Sequence, residues 1–238
     1  MKRIPLFPIP LLFGLLLPFL PLAVQAGALA NDASILDIHW NQEDPAIWSR
    51  EAGKDAPAPA RDGDALRLSM EGATDGSTWV RKTLTTPMNF VVTSRVAIDR
   101  FPSTQGWGSY PHYNGIQLLK VYQDDAIVVQ IGPDAIRIAS WANDGSGTVI
   151  SLPTEEGRFY TWQFEITQAE GADAAGTVTI YRREEDSQPW TLVEQDAPLL
   201  SADFGDDIPL AVIYHNADDP QSQGVLRQEY FLTGVAKP

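Results

Sequence analysis

The chain has 238 residues, of which 17 are Lys or Arg and 31 are Asp or Glu, so its formal net charge is −14 at pH 7. This acidity argues against a nucleic acid partner, because phosphates require a basic surface, and it equally disfavours anionic membranes. Cysteine is absent, so the fold cannot depend on disulfides. A chain of this length can instead build a sufficient hydrophobic core as one all-β domain.

The N-terminus has the pattern of a secretory signal peptide. Lys2 and Arg3 precede the apolar run LLFGLLLPFLPLAV, and the small residues Val24 and Ala26 follow it. The run is short for a membrane-spanning helix and is interrupted by prolines. We therefore predict that residues 1–26 are a signal peptide cleaved after Ala26, with the ALA of residues 28–30 as a second possible site and an uncleaved anchor as the alternative.

Cleavage would remove two basic residues and leave a net charge of −16, from 15 basic and 31 acidic residues. The product is expected to be secreted or periplasmic, with no membrane attachment after signal removal. The chain has neither cysteine nor an Asn-x-Ser/Thr acceptor, a combination that favours a bacterial source.

Residues 27–34 are predicted to be a polar lead-in, and residues 35–238 a single domain in which residues 50–64, REAGKDAPAPARDGD, form a loop. The next run, DGDALRLSM, alternates Leu66, Leu68 and Met70 with polar or small residues, which is the two-residue period of a half-buried strand. Ten similar runs follow: TWVRKTL, NFVVTSRVAID, NGIQLLKVY, AIVVQIG, AIRIASW, RFYTWQFEIT, GTVTIYRR, WTLVEQ, IPLAVIYHN and QEYFLTGVA.

Turn residues separate these runs, and no helical period is convincing, so the pattern predicts an antiparallel sandwich of about twelve strands, six in each sheet. In RFYTWQFEIT the apolar side chains share one face, which makes Glu165 on the other face an exposed strand residue instead of a catalytic acid. The following residues are predicted to be largely buried: Leu66, Leu68, Trp162, Phe164, Val178, Ile180, Leu210 and Val212.

The order of these segments resembles the concanavalin A-like lectin/glucanase superfamily, which includes laminin-G-like modules. DGDALRLSM and NFVVTSRVAID resemble the opening strands of that family. EEGRFYTWQFEIT with GTVTIYRREEDSQPW, and then EYFLTGVAKP, are similar to its later hairpin and closing strand. The resemblance runs from about residue 35 to the end and implies a two-sheet antiparallel jelly roll with a sugar-binding groove.

Two enzymatic activities occur on this fold. The glucanase motif E-x-D-x-x-E, which would aim its carboxyls into one groove, is absent from the chain. The jelly-roll polysaccharide lyases use Arg, Gln or Asn, His and Tyr, and Arg95, Gln130 and Tyr230 loosely resemble that order. The lyase Gln-Ile-His is Gln130-Ile131-Gly132 in this chain, so the histidine would have to be His112 or His215.

The stretch QGWGSYPHYNGIQ, residues 105–117, concentrates aromatic side chains in a loop that leads into a predicted strand. Sugar rings stack on exposed aromatic planes, and amides and imidazoles bind their hydroxyls. Trp107, Tyr110 and Tyr113 are therefore candidate planes, and His112, Asn114 and Gln117 candidate polar partners; the alternative is that Trp107 and Tyr113 fold onto the core. Gln130 and His215 complete the candidate ligand-binding set, although a hydrogen-bonded structural role is the alternative for His215. Trp141 and Trp190 are predicted to be core-edge residues, and with Arg137 they would extend the groove only if their strands neighbour this loop.

The metal prediction is limited. Three histidines without HxH or HExxH spacing make zinc improbable. The acidic loops FGDD and NADDPQ offer oxygen ligands for a structural calcium, although solvated turns are the simpler interpretation. No cofactor is predicted.

The favoured function is a non-catalytic, glycan-binding domain whose partner is an oligo- or polysaccharide. The alternative is a carbohydrate-active enzyme, a lyase or a hydrolase. A cell-envelope interaction protein is the third possibility.

Overall fold

The computed structural model describes residues 34–44, 49–52, 57–72, 76–83, 89–102, 115–121, 127–140, 147–167, 176–199, 207–215 and 223–235. These residues form fifteen strands and no helix. The strands are β1 (Ser34–His39), β2 (Ser49–Ala52), β3 (Ala60–Asp62), β4 (Ala65–Ser69), β5 (Gly76–Thr83), β6 (Asn89–Arg100), β7 (Gly115–Val121), β8 (Ile127–Ile131), β9 (Ala135–Ser140), β10 (Gly147–Ser151), β11 (Phe159–Thr167), β12 (Gly176–Arg183), β13 (Thr191–Leu199), β14 (Asp207–His215) and β15 (Val225–Val235).

The strands make two antiparallel sheets, as predicted. Sheet A has eight strands in the order β13-β12-β11-β6-β15-β4-β3, with β1 also pairing with β15. Sheet B has seven strands in the order β10-β9-β8-β7-β14-β5-β2. The predicted all-β class and antiparallel sandwich are confirmed.

The alternating residues fill the space between the sheets. Leu66, Leu68, Trp162, Phe164, Val178 and Ile180 are each at most 1% exposed, which confirms their predicted burial. Trp162 and Phe164 lie on one face of β11 with their rings stacked at a centroid distance of 6.4 Å. Leu210 and Val212 are in β14, and their predicted burial lies outside the described side chains.

The strand count of about twelve was too low, because β1, β2, β3 and β10 were not predicted as strands. The predicted loop of residues 50–64 contains β3 and most of β2, so that prediction was wrong in part. All three residues of β3 are exposed, and the strand forms by backbone pairing with β4 across a two-residue turn in which Gly63 has a φ of 61°. Such a strand carries no apolar alternation for a sequence pattern to detect.

A buried polar network crosses the core beside β15. The Trp40 indole Nε1 donates to Gln228 Oε1 at 2.9 Å, and Gln228 Nε2 donates to Ser94 Oγ at 2.8 Å. The register between β15 and β6 shifts between Gln228 and Tyr230, so Glu229 is the extra residue of a β-bulge. Because of the bulge, Gln228 points into the core while Tyr230 lies on the outer face of sheet A, opposite Arg95.

Candidate functional site

Two polar side chains pair across the outer face of sheet B. Gln130 stands between the core residues Val129 and Ile131, and Arg137 stands between Ile136 and Ile138, so both point away from the core. They are direct register partners on β8 and β9. Gln130 is nonetheless only 3% exposed and Arg137 only 7%.

The turn between β8 and β9 fixes this pairing. Gly132 N donates to Ala135 O at 2.8 Å, which places Pro133 and Asp134 at the two central positions of a tight turn. Proline suits the first central position because its φ is already set, and Asp is a common turn residue. With that turn closed, Ile131 must face Ile136 and Gln130 must face Arg137.

The register pair of Gln130 and Arg137 belongs to a line of register partners, here called the row, that continues across sheet B toward its centre. Gln117 of β7 pairs with Gln130 on one side and with Val212 of β14 on the other, and Val212 pairs with Trp79 of β5. Gly115, where β7 begins, pairs with Tyr214, the neighbour of His215. Strand β7 therefore begins beside the end of β14.

Of the predicted ligand-binding residues, Gln117, Gln130 and His215 are placed on the three strands β7, β8 and β14 of one sheet. The side chains of Gln117 and His215 are outside the described part. Trp107, Tyr110, His112, Tyr113 and Asn114, together with Trp141, lie outside the described residues altogether.

A guanidinium and an amide held on a covered face can bind an oxygen-rich ligand. Burying either group is costly unless it is hydrogen-bonded, and both residues are engaged in interactions. Arginine offers a planar fork of donors that matches a carboxylate, and glutamine offers both a donor and an acceptor to hydroxyls. These are the functional groups of sugars and sugar acids.

The predicted grouping of Arg95, Gln130 and Tyr230 was wrong. Arg95 and Tyr230 are indeed register partners on the outer face of sheet A, but Gln130 lies on the outer face of sheet B. The core separates the two faces, because packed sheets are about 10 Å apart. No single ligand group can contact all three side chains.

Arg95 and Tyr230 belong to a network of hydrogen bonds that fastens the loop of residues 184–190 onto sheet A. The Arg95 guanidinium donates to Glu229 Oε2 at 2.8 Å and to the Glu184 carbonyl at 3.1 Å. The Tyr230 hydroxyl donates to Asp186 Oδ1 at 3.1 Å, and Arg183 also binds that oxygen, at 2.9 Å. The network therefore has a structural role, which is to hold this loop against sheet A.

Protonation states in this network agree with that role. Burial raises the pKa of the Tyr230 phenol, and the neighbouring Asp186 carboxylate raises it further. Burial would also raise the pKa of Asp186, but the hydrogen bonds from Thr161 and Tyr230 and the charges of Arg183 and Arg95 together outweigh it, so the net pKa of Asp186 is lowered. Tyr230 therefore stays protonated and Asp186 ionised at neutral pH.

Two further residues of the sequence analysis can be placed. Trp190, predicted as a core-edge residue, is half-buried just before β13 in sheet A, and the Arg183 guanidinium is 4.3 Å from its ring centroid. It therefore does not extend a groove on sheet B. Glu165 is half-buried instead of exposed, and it accepts a hydrogen bond from Gln163 Nε2 at 2.9 Å.

Arg137 was predicted from the sequence only as a residue that would extend the groove under a condition. That Arg137 and Gln130 are register partners on neighbouring strands was not predicted. The signal was present in the run VVQIGPDAIRIAS. Alternation puts Gln130 and Arg137 outside the core, and the Pro-Asp turn sets the register between them.

Among the described residues, no group of three or more His, Asp or Glu side chains is placed to hold a metal ion. Of FGDD and NADDPQ, the loops for which calcium was considered, only Asp207 is described. In the same described part of the chain no helix is long and apolar enough to cross a membrane.

No protein-family model and no curated protein sequence matches the chain. Solved structures do resemble it. The marine PL-14 alginate lyase from Aplysia kurodai is 10% identical with a TM-score of 0.53, covering 85% of this chain and 99% of the lyase. The endo-β-1,4-glucuronan lyase from the fungus Trichoderma reesei is 12% identical with a TM-score of 0.52, covering 84% and 94%.

The binding domain of botulinum neurotoxin serotype C1 is also similar, with 12% identity and a TM-score of 0.52. That match covers 87% of this chain and 50% of the toxin chain. At these identities the likeness shows the fold alone, which is a β-sandwich of the jelly-roll kind.

Proposed function

We propose that the protein binds a glycan on the outer face of sheet B and that the glycan carries carboxylate groups. The observation that carries the proposal is the register pair of Gln130 and Arg137, two polar side chains outside the core that are each more than nine-tenths buried. A guanidinium in such a dry position gains most from a carboxylate, since charge-assisted bidentate hydrogen bonds are stronger than neutral ones.

The fold likeness supports this proposal without carrying it. Two of the similar structures are named for lyases of alginate and of glucuronan. The predicted aromatic loop, residues 105–114, would supply stacking planes beside the row, because β7 continues directly from it. The superfamily resemblance of the sequence agrees with a sugar-binding jelly roll.

The test is a binding panel of alginate, glucuronan and neutral glucans, measured by calorimetry. Arg137→Met keeps an unbranched apolar stem and removes the guanidinium and its charge, and we expect affinity for the acidic glycans to fall about tenfold or more. Arg100→Ala is the matched control, because Arg100 is an exposed arginine of sheet A. Equal binding by Arg137→Met, with circular dichroism unchanged, would overturn the proposal.

The aromatic loop is tested separately. Trp107→Ala and Tyr113→Ala should weaken binding if these rings stack on sugars. Wild-type binding by both variants would remove the loop from the site and leave the Gln130 and Arg137 row as the whole of it.

A carbohydrate-active enzyme on the same face is the second candidate. It is favoured by the coverage of the two lyases, which match over nearly their whole lengths. It would need proton-transfer groups within reach of one sugar. The groups to test are Tyr214, which shares the outer face by strand alternation, and His112 in the loop. His215 is the last residue of β14 and reaches this face only if the alternation ends there. A rise in ultraviolet absorbance from unsaturated products, abolished in His112→Ala or His215→Ala, would replace the binding-domain proposal with an eliminase.

A further inference from the structure

A cleft of about 410 Å³ opens at the edge of the sandwich, away from both outer faces. It lies between β10, the edge strand of sheet B, and β13, the edge strand of sheet A. Its volume is within the range of about 300–1,000 Å³ that is usual for small-molecule sites. Part of its wall is apolar, from Ile150, Leu152, Leu192 and Val193.

Arg182 brings a positive charge into this cleft. It pairs with Trp162 in register, so it points between the sheets, and its guanidinium is 4.7 Å from the Tyr160 ring centroid and 5.6 Å from that of Trp162. Nη1 donates to the Pro153 carbonyl at 2.8 Å and approaches Thr154 Oγ1 at 3.4 Å. Within the described part of the chain, the hydrogen bonds of Arg182 run from Nη1 alone, so Nε and Nη2 keep their donors for another partner.

The other charges on the wall of the cleft already have partners. Arg183 is paired with Asp186 at 2.9 Å and lies over Trp190, and Glu184 is paired with Arg158. Burial lowers the pKa of Arg182, which reflects how little water solvates this guanidinium. A partly desolvated arginine gains more from an anionic acceptor than an exposed one does.

We infer that the cleft between β10 and β13 binds a small carboxylate, with the carboxyl on the Nε and Nη2 fork of Arg182 and an apolar body against Ile150, Leu152 and Leu192. The fork matches a carboxylate in a bidentate manner. The carboxylate could belong to an aliphatic or aromatic acid or to a terminal uronic acid unit. The site is independent of the proposed glycan row, because it lies between the sheets and not on an outer face.

The experiment is an NMR titration of the isotopically labelled protein with hexanoate, benzoate and glucuronate, and with hexanamide as the neutral analogue. We expect saturable shifts with at least one carboxylate and binding about tenfold weaker for the amide. Preference for hexanoate or benzoate would identify an organic acid site, and preference for glucuronate a sugar-acid subsite.

Variants then locate the binding. Arg182→Lys keeps the charge and loses the fork, and Ile150→Phe adds bulk on the face of β10 that lines the cleft; both should weaken binding about tenfold or more. Thr148→Phe is the matched control, because Thr148 lies on the same face of β10 and is exposed but does not line the cleft. If Arg182→Lys fails to fold, Ile150→Phe alone decides.

The inference is overturned if no carboxylate binds, if hexanamide binds as well as hexanoate, or if Ile150→Phe and Thr148→Phe bind equally. Loss of glycan binding in Arg137→Met with intact carboxylate binding would support both sites separately.

Discussion

The polar side chains on the outer face of sheet A and those on the outer face of sheet B have different roles. On sheet A, Arg95, Asp186 and Tyr230 are bound to one another or to common partners, so their donors and acceptors are used within the protein. On sheet B, Gln130 and Arg137 also have interactions within the protein, and a turn holds the two buried side chains opposite each other. The first set stabilises a loop, and the second offers the chemistry of a ligand site.

The hydrogen bonds and ion pair of the Asp186 carboxylate make the free energy of unfolding depend on pH. The folded-state pKa of Asp186 lies below its ordinary value of 3.8, so its stabilising contribution is present above that value and is lost as the pH falls through the folded value. Asp186→Asn should therefore be less stable than wild type at neutral pH, and the difference should shrink below about pH 4. Urea unfolding at several pH values measures the difference in the free energy of unfolding between the variant and the wild type.

Glu185→Gln is the control, because Glu185 is an exposed neighbour in the same loop. If the free energies of unfolding of Asp186→Asn and wild type differ by the same amount from neutral to acid pH, the ionised Asp186 carboxylate does not stabilise this loop.

At the scale of strands, register is the property on which the site depends. Inserting one glycine between Asp134 and Ala135 would break the two-residue turn and offset β9 from β8, so Arg137 could not face Gln130 unless its apolar neighbours left the core. We expect such a variant to lose glycan binding and several kcal/mol of stability, about the cost of exposing two or three buried aliphatic side chains. Thermal unfolding and the glycan panel report the two losses.

A glycine inserted after Ser187 is the comparison, since that loop position is exposed and connects β12 to β13. Equal damage from both insertions would show that the register of the β8–β9 hairpin has no special importance.

Strands such as β6 and β11 were predictable because each has one apolar face, and Trp162 and Phe164 were placed in the core for that reason. Strand β3 was not, because its residues are all exposed and only pairing defines it. The error over Arg95, Gln130 and Tyr230 has another cause. Alternation tells which way a side chain points, but sheet membership depends on pairing between strands far apart in the chain, as when β15 inserts between β6 and β4.

For the whole molecule, the net charge of −14 opposes the approach of an acidic glycan. Salt screens this long-range repulsion, since the Debye length falls from about 30 Å at 0.01 M to about 8 Å at 0.15 M, whereas a buried contact with Arg137 is screened much less. We therefore expect the association rate with alginate to rise as sodium chloride is raised over that range. Stopped-flow or surface plasmon resonance measures the rate.

A neutral glucan that binds would serve as the reference, with a rate nearly independent of salt. An alginate association rate that falls steeply with salt would instead indicate a basic surface outside the described residues.

The central position of β15 has a consequence for how the chain is made. This strand, the last one described, pairs with β6, β4 and β1, so sheet A remains in three separate parts until residues 225–235 have been synthesised. While a ribosome is still producing the preceding segments, β6 and β4 each have an unsatisfied edge that could pair with another nascent chain. We therefore expect the polypeptide to remain unfolded, or to be held by a chaperone, until residues 225–235 have been made, and a product that stops at residue 224 should aggregate instead of forming a smaller sandwich.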